Sequence, residues 1–129
     1  MSMYLILDKI SGPQRFPLSK LLRMVNEVAN NGKNAIWKLI KVRGYGAEVC
    51  KLEDEIINKN EDILVTSDEI IKISDDPDQW FYDLDCCDEN KRINFGVLDS
   101  GALFIKGEDQ ELIDNILEGF KKVIKCQDP

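Results

Sequence analysis

Asp83 and Asp85 are the residues of this chain best spaced to do chemistry. They lie two apart in the run Trp80, Phe81, Tyr82, Asp83, Leu84, Asp85, Cys86, Cys87, Asp88, Glu89. If that run is a strand, the two carboxylates share a face about 6.6 to 6.8 Å apart. Such a pair suits acid–base work of the glycosidase kind, a divalent cation, or a charged contact with another protein. Nothing nearby in the sequence reads as a sugar cleft. A calcium loop of the EF-hand type needs acids or Asn at its first, third and fifth positions, Gly at the sixth and Glu at the twelfth. Counted from Asp83 those later positions are Cys87, Asp88 and Asn94, so the pattern fails. The readings left are another divalent site, a solvated charge cluster and a protein-binding patch. The adjacent Trp80, Phe81 and Tyr82 favour the patch, because aromatic anchors ringed by charge are a common hot-spot composition. A core role for Trp80 is the competing assignment.

The other reactive residue types offer little. Histidine is absent, which removes the usual general base near neutral pH and the commonest nitrogen ligand for metals. It also excludes Ser-His-Asp, Cys-His and His-Glu-x-x-His arrangements. Of the four cysteines, Cys86 and Cys87 are adjacent, and no Cys-x-x-Cys occurs. They read as small apolar fillers in a reducing compartment rather than zinc ligands or disulfide partners. The glycines are dispersed and form neither a dinucleotide fingerprint nor a Walker loop. No catalytic residue, metal or cofactor is expected, so the chain reads as a non-enzyme.

Charge is distributed unevenly. Residues 48 to 89 hold fifteen carboxylates against three lysines, whereas residues 1 to 44 hold eight basic side chains and two acids. The basic ones are Lys9, Arg15, Lys20, Arg23, Lys33, Lys38, Lys41 and Arg43. They read as a solvated face or as partners of the acidic half. A net charge of −7 repels phosphate at long range, against direct nucleic-acid binding. No apolar stretch is long enough to span a membrane, and the N-terminus lacks a basic leader, so a cytoplasmic protein is expected.

These groups need a scaffold to place them. A length of 129 residues with 43% hydrophobic content fits one globular domain, 1–129. Residues 4–10 read as a strand closed by a turn at Ser11, Gly12 and Pro13. Residues 18–31 carry a helical stripe, with Pro17 in the first turn and Gly32 as a left-handed cap. Residues 35–43 alternate as a strand with Trp37, Leu39, Lys41 and Arg43 on one side. Residues 47–58 favour a helix. Residues 62–65 read as a short strand or loop, and Ser67 as the N-cap of a helix over 68–73. Three strands follow over 80–87, 95–98 and 102–106, joined by short links that imply antiparallel pairing. On the first, Trp80, Tyr82, Leu84 and Cys86 share one face. A closing helix over 108–125 has acids in its first turn and Lys121, Lys122 and Lys125 in its last. The fold class is α+β, a mainly antiparallel sheet packed against amphipathic helices.

The acidic block 48–89, the run WFYDLDCCD and the closing NFGVLDSGALFIKG-plus-helix unit together resemble the immunity proteins of bacterial toxin–antitoxin and contact-dependent inhibition systems. Those are small, acidic, cytoplasmic α/β proteins that cap a toxic domain, often a basic nuclease. The resemblance is one of character across the chain and carries no residue roles with it. It implies a non-enzymatic inhibitor of a cationic protein. The expected electrostatic contacts are Asp75, Asp76, Asp78, Asp83, Asp85, Asp88 and Glu89, with Phe81 and Tyr82 as anchors. The rival expectation is a structural or adaptor subunit that uses an apolar patch.

Overall fold

A computed structural model describes residues 2–10, 17–90 and 92–127. The expected turn at Ser11, Gly12 and Pro13, together with Arg15, lies outside the described residues. The elements run β1 (Ser2–Ile6), α1 (Leu18–Asn30), β2 (Ile36–Tyr45), α2 (Ala47–Asn58), β3 (Leu64–Thr66), α3 (Ser67–Asp75), β4 (Trp80–Cys87), β5 (Asn94–Leu98), β6 (Ala102–Lys106), α4 (Gln110–Leu117) and β7 (Val123–Gln127). The strands form one seven-stranded sheet in the order β3-β2-β4-β5-β6-β1-β7. Every neighbouring pair is antiparallel. The fold is α+β, as the element pattern predicts.

Period-2 alternation sorts the sheet into two faces. One row of paired residues, Val42, Leu84, Val97, Leu103, Ile6 and Val123, faces the helices. The adjacent row, Lys41, Asp85, Gly96, Phe104, Leu5 and Ile124, faces the other way. The core gathers the first kind of row with Leu18, Leu21, Leu22 and Val25 of α1, Val49 of α2, Ile70 of α3, and Ile113 and Ile116 of α4. Trp37 meets Phe95 edge-on at its centre, with ring centroids 4.7 Å apart.

Two bulges correct the expected alternation. On β2 the pairing passes from Leu39↔Cys86 to Lys41↔Asp85, leaving Ile40 as an extra residue. The added residue shifts the alternation by one. Val42 therefore joins Trp37 and Leu39 inside, while Lys41 and Arg43 turn outward. On β4 the pairing passes from Arg43↔Asp83 to Gly44↔Phe81, so Tyr82 is the extra residue. Phe81 swings into the core beside Leu84 and Cys86, and Tyr82 is pushed out.

The closing helix is less than half the expected length, at eight residues. Asp109 caps α4 by accepting from the Leu112 amide at 3.1 Å, and the helix stops after Leu117. A Cβ on Gly119 would lie 2.2 Å from Met24 Cε, so a larger residue there would push the Met24 side chain of α1 aside. The Asp8 carboxylate then accepts the amides of Lys121 and Lys122, its nearer oxygens at 3.0 and 2.7 Å. That contact turns the chain into β7, which pairs with β1. Lys121, Lys122 and Lys125 are thus not a helix C-terminus; Lys125 lies on a strand. The α3 cap is also one residue earlier than expected. Thr66 and Glu69 form a reciprocal capping box, which frees Ser67 to accept from Trp37 Nε1 at 2.8 Å and donate to Asn26 Oδ1 at 2.8 Å.

Candidate functional site

The residues expected to meet a partner separate into three places. Asp75, Asp76 and Asp78 close α3 before β4. Asp83 and Asp85 lie midway along β4 on its outward face. Asp88 and Glu89 follow its far end. Eight residues of strand hold the outer groups on the order of 25 Å apart. Screening acts over about 8 Å at physiological salt, so these acids do not act as one pole.

Most of them already have partners. Asp75 accepts from Ser19 Oγ at 2.6 Å and pairs with Arg23 at 3.5 Å, tying α3 to α1. Asp76 accepts the Asp78 amide at 2.9 Å. Asp83 pairs with Arg43 Nε at 2.9 Å and accepts the Asp99 amide at 3.0 Å. Asp85 accepts from Asn94 Nδ2. Asp88 pairs with Arg92 at 3.1 Å and accepts the Ile93 amide at 3.1 Å, shaping the β4–β5 connection. Asp78 and Glu89 are exposed. Phe81, at 1% exposure, cannot anchor a partner, for the bulge at Tyr82 buries it. Tyr82, at 39% exposure, stays accessible beside Tyr45. Trp80 is half-buried and donates to Ser100 Oγ at 3.1 Å. Arg23, Lys38 and Arg43 of the basic opening segment do pair with the acidic half, Lys38 with Asp62 at 3.3 Å.

The outward face of the sheet carries none of the core-packing helical residues and is mixed in character. Lys41, Arg43, Asp83 and Asp85 stand on β2 and β4 near exposed Ile40, while exposed Leu98 lies on β5 and exposed Ile124 on the far edge strand β7. Phe104, opposite Gly96 on this face, is buried at 4% exposure. A Cβ on Gly96 would come within 2.8 Å of its ring and 1.7 Å of the Leu84 carbonyl. Glycine lets the aromatic cover the sheet backbone there. Cys87 is buried on this side, and Cys86 opposite it in the core. Burial first, and then the charge of Asp85, push the Cys86 thiol well above its ordinary pKa, so it stays protonated and unreactive.

A different surface keeps its acids available. α2 starts after Gly46, and its first amides are capped from a distance. Gln79 Oε1 accepts the Glu48 and Val49 amides at 3.1 and 3.2 Å. This fixes α2 on β2 with Val49 inward. Glu48, Leu52 and Glu55, at i, i+4 and i+7, share one helical face. Among the described residues, Glu48, Glu53, Asp54 and Glu55 make no ion pair. Between α2 and α3 runs a groove of about 440 Å³. Its floor is Leu52, Ile63, Val65, Ile70 and Ile73; its rim carries Glu48, Glu55, Glu69 and Asp76 with Lys51 and Lys72. The charge pattern of the sequence includes these acids but marks no site among them. The heptad-like spacing of Glu48, Leu52 and Glu55 was the available signal.

Among the described residues no three His, Cys, Asp or Glu side chains converge as a metal site. No described helix is long and apolar enough to cross a membrane. No family model, curated protein or solved structure matches the chain.

Proposed function

We propose that this protein is a non-enzymatic inhibitor that binds and neutralises a cationic protein, in the manner of the bacterial immunity proteins its sequence resembles, and that it works in the cytoplasm. One observation carries this reading: among the described residues the α2 carboxylates, Glu48 and Asp54 exposed and Glu53 and Glu55 half-buried, make no ion pair, while Asp83, Asp85 and Asp88 on and after β4 are engaged within the fold. Unpaired acids on a helix attract a cationic surface without first breaking internal bonds. Opposite potentials raise encounter rates toward about 10⁸ M⁻¹s⁻¹ at low salt. A nuclease domain is the partner class of choice, since its phosphate-binding cations would find carboxylates in place of phosphates. Co-expression with the product of an adjacent open reading frame tests this. A stoichiometric complex that silences the partner's toxicity, and weakens as salt rises, supports it. Absence of a complex at low salt contradicts it.

The outward sheet face favours a second reading, an adaptor subunit. Ile40, Leu98 and Ile124 expose apolar surface there. Sedimentation of the pure chain separates the two: a tight homodimer supports the adaptor, and a monomer supports the inhibitor.

A further inference from the structure

We infer that the groove between α2 and α3 receives a cationic amphipathic helix of the partner protein, with aliphatic side chains on its floor and lysines or arginines against its rim. This rests on the reading that the partner is cationic.

The helical layer is incomplete at this point. α1 packs against both α3 and α4, whereas α2 packs on β2. Neighbouring helices in a filled layer lie 8 to 10 Å apart and close over the sheet. Here the gap leaves half-buried Leu52 and Ile73 flanking a groove whose bottom is closed by buried Ile63, Val65 and Ile70. The floor calls for aliphatic groups, because polar groups seated there would lose water without gaining partners. Charge decides the flanks. Glu48 and Glu55 line the α2 side together with Lys51, and neither carboxylate has an internal ion pair among the described residues. An apolar stripe bordered by cations is the complement of that arrangement, and helices in grooves are recognised this way. An added β-strand fits less well, since the adjacent edge strand β3 has three residues and offers few backbone bonds.

The test is a titration of the isotope-labelled full chain, followed by amide chemical shifts, with three synthetic peptides. The first places Leu at i, i+3, i+4 and i+7 with Lys on the flanks. The second has the same composition scrambled. The third is the first with Glu replacing Lys. The first should bind about tenfold or more tighter than the second. It should shift the amides of Leu52, Glu55, Val65 and Ile73, and lose that advantage in Leu52→Asp and Glu55→Lys. The third should not bind. Equal binding of the first two removes the groove inference and leaves the cationic reading standing. Silence of both at low salt removes both. Shifts centred on Ile40, Phe104 and Ile124 would overturn the groove in favour of the outward face.

Discussion

The Trp37 side chain has one polar atom, and burial denies it water. Ser67 supplies the acceptor, and Asn26 orients Ser67 while also accepting the Ala35 amide at 3.1 Å. Ser67→Ala leaves the indole N–H unsatisfied in the core, which costs about 1 to 3 kcal/mol. Urea unfolding should show a lower midpoint at unchanged slope; an unchanged midpoint would mean that the bond contributes nothing. Asp8 makes a pH-dependent contribution. Burial raises its pKa, but the amides of Lys121 and Lys122 and the Lys20 ammonium outweigh this and hold it below the ordinary 3.8. The folded value lies below the unfolded one, so the stabilisation is in force above about pH 3.8 and fades as pH falls through the folded value. Loss of amide protection in β7 should therefore begin in that acid range. Asp8→Asn should flatten that part of the profile. At this scale the sequence was legible for fillers such as Cys86. It was not for Phe81 or Ser67, whose surroundings come from segments far along the chain.

Local rules located most of the elements and misjudged where two of them change state. The β4 strand and the three-strand meander follow from alternation and short polar links. The two bulges do not, because nothing local to Ile40 or Tyr82 marks the extra residue; it is set by the pairing of β2 with β4. The closing segment fails for another reason. Phe120, Val123 and Ile124 continue a helical stripe, yet Val123 and Ile124 equally suit a strand. The Asp8 carboxylate, which holds the amides of Lys121 and Lys122, decides between the two. The start of α2 depends on Gln79, thirty residues away in sequence. Gln79→Ala uncaps two amides, one of them buried, and should cost about 1 to 3 kcal/mol. Hydrogen exchange should quicken in α2 and stay slow in β5 and β6. Uniform acceleration across the sheet would mean that Gln79 supports the whole core instead.

Across the whole molecule, the acidic block seen in the sequence becomes two populations. Carboxylates on and around β4 brace α1, β2 and the β4–β5 connection, and those of α2 make no ion pair among the described residues, with Glu48 and Asp54 exposed. Charge counting could detect the block but not this division, which depends on which cations the sheet brings alongside. Asp83 and Asp85, the most suggestive pair in the sequence, are occupied by Arg43 and Asn94. Their replacement should disturb stability before it disturbs binding.

The most direct measurement compares partner affinity across a salt series for Asp54→Lys/Glu55→Lys and for Asp83→Asn/Asp85→Asn, with urea unfolding of each alongside. The α2 pair should weaken binding about tenfold or more and flatten its salt dependence while leaving stability nearly unchanged. The β4 pair should lose about 1 to 3 kcal/mol of stability and keep its affinity. Weaker binding in the β4 pair, with the α2 pair binding as the native chain does, would contradict docking through the acidic helix.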